Sequence, residues 1–317
     1  MASGTLWSVP EDHEPRHSAI YFGPQRDFWW NPDYLRLLAH RWQLSMVETM
    51  LDVGSGLGHW GTSLLGLLAE AATLEGVDRE PEWVVKATER AASAGFADRC
   101  RYRIGVADEL PFADDSFDLV TCQTLLIHVA DPSAVLREMV RVARPGAWII
   151  ASEPNNRVHL VIDDTEKAGT SIEHRLDEIR FYLTCERGKI ALGEGNNSVG
   201  DLLPAHFGEA GLVDITAYLS DKASLILPPY ASEEQAALAD VYREEAAEVR
   251  WVWERHQAQR YFIAGGGAAH AFQQEWEARA ATATRAAQAV EQARLATSGG
   301  GVLYVVAGRK RDGPATA

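Results

Sequence analysis

The sequence predicts an α/β fold, a parallel doubly wound sheet with ligands bound at the carboxyl ends of its strands. Three observations carry this reading. Short apolar runs alternate with helical stretches from residue 49 to residue 151. The first run ends in an acidic residue and a glycine-rich turn, Asp52-Val53-Gly54-Ser55-Gly56-Leu57-Gly58. The second ends in Asp78, about 20 residues beyond the turn, where an acidic side chain can accept hydrogen bonds from both hydroxyls of a ribose.

Taken in order, residues 1–30 look irregular but carry Tyr21, Phe22, Trp29 and Trp30. They form either an arm packed on the core or a lid that excludes water from a pocket. Asn31 caps and Pro32 starts a helix over 32–44. Strands are predicted at 49–53, 73–77, 101–104, 117–122 and 147–151. Helices fill the gaps at 61–69, 82–94 and 132–143, with Gly95 and Asp131-Pro132 as stop and start signals. Beyond residue 153 the rhythm changes. Helices are expected at 172–191 and 202–210, a strand at 212–219, and two long helices over 231–297 broken at Gly265-Gly266-Gly267. Residues 301–307 supply a closing strand.

The glycine turn opens a helix, so backbone N–H groups there can meet the anionic part of a ligand. Gly56 to Gly61 formally matches the dinucleotide fingerprint, and a nicotinamide-dependent oxidoreductase is one reading. A pyrophosphate, however, would lie close to the Asp52 carboxylate, whereas a ligand with an ammonium group would welcome it. The spacing of Asp52, Gly54, Gly56 and Gly58 resembles the first motif of class I S-adenosylmethionine-dependent methyltransferases. Ala107-Asp108-Glu109-Leu110-Pro111-Phe112 and the following Asp114-Asp115-Ser116-Phe117-Asp118 resemble the same family, in its small-molecule, quinone-biosynthesis type. The segment L-R-E-M-V-R-V-A-R-P-G-A from Leu136 is also similar, with Ala147 where a second glycine is usual.

The resemblance covers about residues 45–155. It implies a seven-stranded, mostly parallel Rossmann-like sheet whose last strand inserts antiparallel beside the fifth. It also implies S-adenosylmethionine as cofactor, S-adenosylhomocysteine as product, and direct displacement onto a small-molecule acceptor. Asp52, Gly54, Ser55, Gly56, Gly58, Asp78, Arg79, Ala107, Asp108, Glu109 and Gln123 are then the cofactor-binding candidates. Asp108 would accept from the adenine amino group. His128 is the catalytic candidate, able to orient or deprotonate an acceptor or simply to hold its loop. Tyr21, Trp29, Trp30, Glu153, Asn155, Arg157 and His159 are candidates for the acceptor surface. The chain divides into an arm and helix (1–45), a cofactor core (46–155), a cap region (156–300, with the helical insert at 231–297) and a closing strand (301–310).

The net charge of -15 argues against a nucleic-acid backbone as partner. Cys100, Cys122 and Cys185 form no paired motif, which fits a reducing cytoplasm. No stretch reaches the length of a membrane span, and no metal-ligand spacing is present. The helical insert is a candidate homodimer surface. A non-catalytic S-adenosylmethionine-binding partner protein is the remaining alternative.

Overall fold

The computed structural model describes residues 24–248 and 252–313. Seven strands build one sheet: β1 (Thr49–Val53), β2 (Thr73–Asp78), β3 (Cys100–Ile104), β4 (Phe117–Gln123), β5 (Ala143–Asn155), β6 (Val213–Leu219) and β7 (Val302–Arg309). Their order is β3-β2-β1-β4-β5-β7-β6. The first five pair in parallel, and β7 enters antiparallel between β5 and β6. The expected seven-stranded, mostly parallel sheet is therefore what forms.

Alternating side chains of the strands feed two separate cores, because successive residues of a strand face opposite sides. Leu51, Val120 and Ile149 pack under helices α4 (Pro132–Val142) and α6 (Leu203–Glu209). Met50, Leu119 and Ile150 pack under α1 (Pro32–Arg41) and α2 (His59–Leu65), with α3 (Pro81–Ser93) adding Ala91. Asp131 caps α4 by accepting from Ser133 N (2.9 Å) and Ala134 N (3.1 Å), so the predicted start is satisfied at the hydrogen-bond level. Strand β1 faces β2 and β4 on its two edges, and the chain reverses direction across the sheet there. That is where an open α/β sheet leaves a crevice.

The cap forms a third core. Helix α5 (Ile172–Ala191) packs on α8 (Arg255–Ala264) and α9 (Phe272–Glu291) through Phe181, Tyr182, Trp253, Tyr261, Phe262, Phe272 and Trp276. Helix α7 (Glu233–Ala247) joins α9 around Ala239, Ala289 and Val290. The glycine break between α8 and α9 is present, but the stretch before it is two helices rather than one. Residues 252–254 leave the helix so that Trp253 is buried against Tyr182 (ring centroids 5.1 Å) and Tyr261 (5.6 Å). Packing of one indole overrides the helical propensity of its neighbours. Tyr21, and Phe22 beside it, lie outside the described residues. No described helix is long and apolar enough to cross a membrane.

Candidate active site

The turn after β1 is built from left-handed backbone: φ is +66° at Gly54, +50° at Gly56 and +75° at Gly58. A Cβ at Gly54 would also stand 2.7 Å from Leu125 Cδ1, so the positive φ and the close approach both favour glycine here. Asp52 is 1% exposed and lies behind the turn, where its Oδ2 accepts from Gly61 N at 3.1 Å. Burial pushes its carboxyl up to about 7. The Gly61 N–H opposes this, the Asp78 charge adds to it, and Arg26 pulls it down. Asp78 holds the turn from the next strand: Oδ2 accepts from Gly56 N (2.9 Å) and Oδ1 from Glu80 N (3.0 Å).

In front of this turn lies a cavity of about 690 Å³. The ends of β1 and β2 supply Gly54, Asp78 and Arg79, the loop after β3 supplies Ala107 and Asp108, and the end of β4 supplies Gln123 and then His128. The cap closes the other side with Lys189, Glu194, Gln257, Arg260 and Tyr261. Arg26 enters from the N-terminal side, donating from Nη2 to Thr124 Oγ1 at 3.1 Å. Burial lowers its guanidinium to about 10, against the opposing pull of Glu153 and Asp52. Two buried amide atoms on the lining have no hydrogen-bond partner, Nε2 of Gln123 and Oε1 of Gln257. Both atoms are open to a polar group of a ligand in the cavity.

Residues 45–200 match the model of a family described as a methyltransferase domain. The ubiquinone/menaquinone biosynthesis C-methyltransferase of Geotalea daltonii is 31% identical over 104 residues, 33% of this chain and 44% of that protein. The methyltransferase GfsG of Streptomyces halstedii is 37% identical over 119 residues, 37% of this chain and 41% of the other. The demethylmenaquinone methyltransferase of Halalkalibacterium halodurans is 32% identical over 141 residues, 44% and 55% of the two chains. The matched part of this chain spans about half the length of these relatives, or less. The fold is shared with the YcgJ protein of Bacillus subtilis, at a TM-score of 0.50 and 19% identity over 89% of this chain and 100% of that one. Residues 45–200 therefore carry a methyltransferase domain.

Within this methyltransferase domain the predicted cofactor residues divide by position. Gly54, Asp78, Arg79, Ala107, Asp108 and Gln123 line the cavity. Asp52, Ser55, Gly56 and Gly58 form the frame behind it, and Glu109 is exposed outside it. His128 lines the cavity half-buried, at the end of a short turn in which its N–H donates to Leu125 O at 2.9 Å.

The acceptor candidates fare differently, and most are displaced by their own local bonds. Glu153 is fully buried: Oε1 accepts from Leu125 N and Leu126 N (both 2.9 Å), and Cys122 Sγ lies 3.9 Å away. Burial raises its carboxyl to about 7 and the three N–H groups of residues 125–127 pull it back, so it is a brace for the loop, not a substrate ligand. Asn155 is spent on Asp201 Oδ2 (3.0 Å) and on the N–H of Arg157 (3.1 Å), and Arg157 pairs with buried Glu186 at 2.5 Å. His159 lies on an exposed turn outside the cavity. Trp30 belongs to the core, stacked on Tyr34 and 5.1 Å from the Trp60 ring. Trp29 sits beside the site, with the Arg26 guanidinium 4.5 Å from its ring centroid. Sequence reasoning missed Arg26, Lys189 and Gln257. Only Lys189 left a signal: it falls on the buried face of α5 at the spacing of Phe181 and Cys185, where a lysine is out of place.

Proposed function

We propose that the protein transfers a methyl group from S-adenosylmethionine to a small-molecule acceptor and releases S-adenosylhomocysteine. The observation that carries this reading is the pair of carboxylates at the glycine turn. Asp52 behind it and Asp78 in front of it make the turn hostile to a pyrophosphate and receptive to a cationic ligand. This also weighs against the dinucleotide reading of Gly56 to Gly61.

The residues present fit the cofactor by their chemistry. Asp78 offers acceptor oxygens for ribose hydroxyls at the end of β2, and Asp108 and the Ala107 backbone line the part of the cavity suited to adenine. Arg26 brings a buried cation suited to an amino-acid carboxylate, and the orphaned Nε2 of Gln123 is a donor seeking an acceptor. When bound, the cofactor supplies an electrophilic methyl group on a sulfonium. The chain contributes alignment and exclusion of water, which can supply several kcal/mol without an enzyme nucleophile. His128 stands on the lining where it can orient the acceptor or take its proton.

On this reading residues 46–155 bind the cofactor and residues 156–300 shape the acceptor side. The acidic net charge of -15 favours a small acceptor over nucleic acid. The described cysteines, all buried and unpaired, are consistent with a reducing cytoplasm. Calorimetry with S-adenosylhomocysteine and with NAD tests the assignment. Tight binding of the first and none of the second is expected; the reverse would return the oxidoreductase reading. A screen of acceptors with labelled S-adenosylmethionine then separates an enzyme from a non-catalytic binding protein.

A further inference from the structure

Lys189 is a charged group in an unusual setting. It projects from the buried face of α5, is 2% exposed, and lines the cavity near His128 and Gln257. Its Nζ donates to Ile127 O (2.8 Å) and Asn197 Oδ1 (2.7 Å), and both partners are neutral oxygens. None of the ion pairs among the described residues includes it. The carboxylates around it are already engaged: Glu186 with Arg157 and Ser198, Glu194 with Arg260 and Tyr261, and Glu153 with the loop it braces. A buried ammonium without a counter-ion is costly, and native proteins pair such charges. Burial accordingly lowers this ammonium to about 8, although Glu186, Glu194 and Glu153 pull the other way from a distance.

An ammonium has three N–H donors, and two of them are spent on protein oxygens. We propose that the third serves an anionic oxygen of the methyl acceptor, so that the acceptor is a small oxyanion such as a carboxylate, phenolate or enolate. This rests on the methyltransferase reading above. The cofactor's own carboxylate is a poorer occupant, because Arg26 supplies a separate buried cation for it, held at Thr124 beside the glycine-turn end of the cavity. Gln257 adds an amide at the same wall of the cap with Oε1 unpaired, and Gln257 is itself 8% exposed. Its acceptor atom suits a hydroxyl or amine elsewhere on such a molecule. In the transfer itself the anionic acceptor forms the new bond to the methyl carbon, the carbon–sulfur bond breaks, and its electron pair stays on sulfur. No proton need be removed at that stage, and Lys189 holds the negative charge in place until then.

The test uses acetate, a carboxylate small enough for any cavity shape, with acetamide as its neutral counterpart. Saturation-transfer NMR on the full chain, with and without S-adenosylhomocysteine and at constant ionic strength, reads binding directly. Acetate should bind the wild type, acetamide should not, and acetate affinity should fall as pH rises through about 8 and Lys189 loses its proton. Lys189→Met should weaken acetate on the order of tenfold, the loss of one charge-assisted bond, while S-adenosylhomocysteine binds as before. Lys189→Arg should retain acetate. If the Met variant fails to fold, Lys189→Gln, which can still donate to one of the two oxygens, takes its place. Absence of acetate binding to the wild type, or equal acetate binding after removal of the charge, overturns the proposal. So does loss of S-adenosylhomocysteine with acetate retained, which would give Lys189 to the cofactor. Failure of the wild type to bind S-adenosylhomocysteine while acetate still depends on Lys189 would sink the methyltransferase reading and leave the anion site standing.

Discussion

The cofactor half and the cap half are held together by different means. Around the glycine turn, short side-chain-to-backbone bonds fix loops at the ends of parallel strands: Asp52 to Gly61, Asp78 to Gly56 and Glu80, Glu153 to residues 125–127. The cap has bonds of this kind too, such as Arg187 to the Gly265 carbonyl and Thr165 to that of Arg294, but its helices meet chiefly through packing. Helices α5 and α8 meet backbone to backbone at Gly188 and Gly265, and a cluster of seven large aromatic side chains fills the space around the crossing. The first half leans more on particular bonds at its loops, the second more on shape and volume at its helix crossing. Substitutions should therefore damage binding in the first half and stability in the second.

The largest effect is expected at the helix crossing. A Cβ on Gly188 would fall on the Tyr261 carbonyl, and one on Gly265 on the Thr184 carbonyl, so neither side can relax by turning a side chain. Gly188→Ala should cost on the order of 3 kcal/mol or more, at the upper end for overpacking. Urea unfolding followed by tryptophan fluorescence should show the drop, with S-adenosylhomocysteine affinity nearly unchanged below the transition. An unaltered midpoint would mean that the cap tolerates separation of these helices.

Next comes Asp78, whose removal should strike binding. On the proposed assignment Asp78→Ala takes away a charge-assisted acceptor for the ribose, and it should cost on the order of 1.5–3 kcal/mol in cofactor affinity. The variant also frees the N–H groups of Gly56 and Glu80, so Asp78→Asn, which keeps one acceptor oxygen, should fall between it and the wild type. Calorimetry that finds the same affinity in a folded Ala variant would remove Asp78 from the site.

The same contrast explains what was legible in the sequence. Each strand of the cofactor half was bounded within a few residues, because Asp52, the glycines and Asp78 are local signals with one structural use. The extra break before α8 was not legible: no glycine or proline marks it, and it exists because Trp253 has a slot between Tyr182 and Tyr261. Glu153 was read as an acceptor candidate because it is a polar residue where the cofactor core gives way to the segment expected to shape the acceptor surface. Its three N–H partners come from a loop whose path no local pattern reveals. Arg26 and Gln257 were missed because nothing near them in the chain says that the fold brings both to one cavity.

Asp52 offers a pH test of the first half. Its carboxyl stands near 7 in the folded chain against an ordinary 3.8, so between about pH 4 and 7 the folded state holds a proton that the unfolded state has released. Stability should then decline as pH rises through that window, and Glu153, also near 7, contributes with the same sign. Asp52→Asn should flatten part of the decline and leave the protein no less stable at pH 7. It should still weaken S-adenosylmethionine by about 1–2 kcal/mol, because the ammonium loses a favourable field. Urea titrations from pH 5 to pH 8, paired with calorimetry, measure both. Equal slopes in the two proteins would place the Asp52 proton elsewhere.

The smallest effect is expected at Trp29, and it separates two neighbouring indoles. Trp30 is a core residue, wedged between Tyr34 and Trp60, and its loss would be a packing defect. Among the described residues Trp29 meets the site through Arg26, whose guanidinium lies 4.5 Å from its ring. That contact is worth roughly 0.5–1 kcal/mol at a partly exposed position. Without it Arg26 keeps its bond to Thr124 Oγ1 but loses the surface that limits its rotamers. Trp29→Ala should therefore weaken S-adenosylhomocysteine two- to fivefold, about the same 0.5–1 kcal/mol, with unfolding shifted by less than that. Trp29→Phe, which retains an aromatic face, should recover most of the affinity. A variant that binds normally but melts early would show that Trp29 shares the structural role of Trp30, and that Arg26 does not depend on the indole for its position.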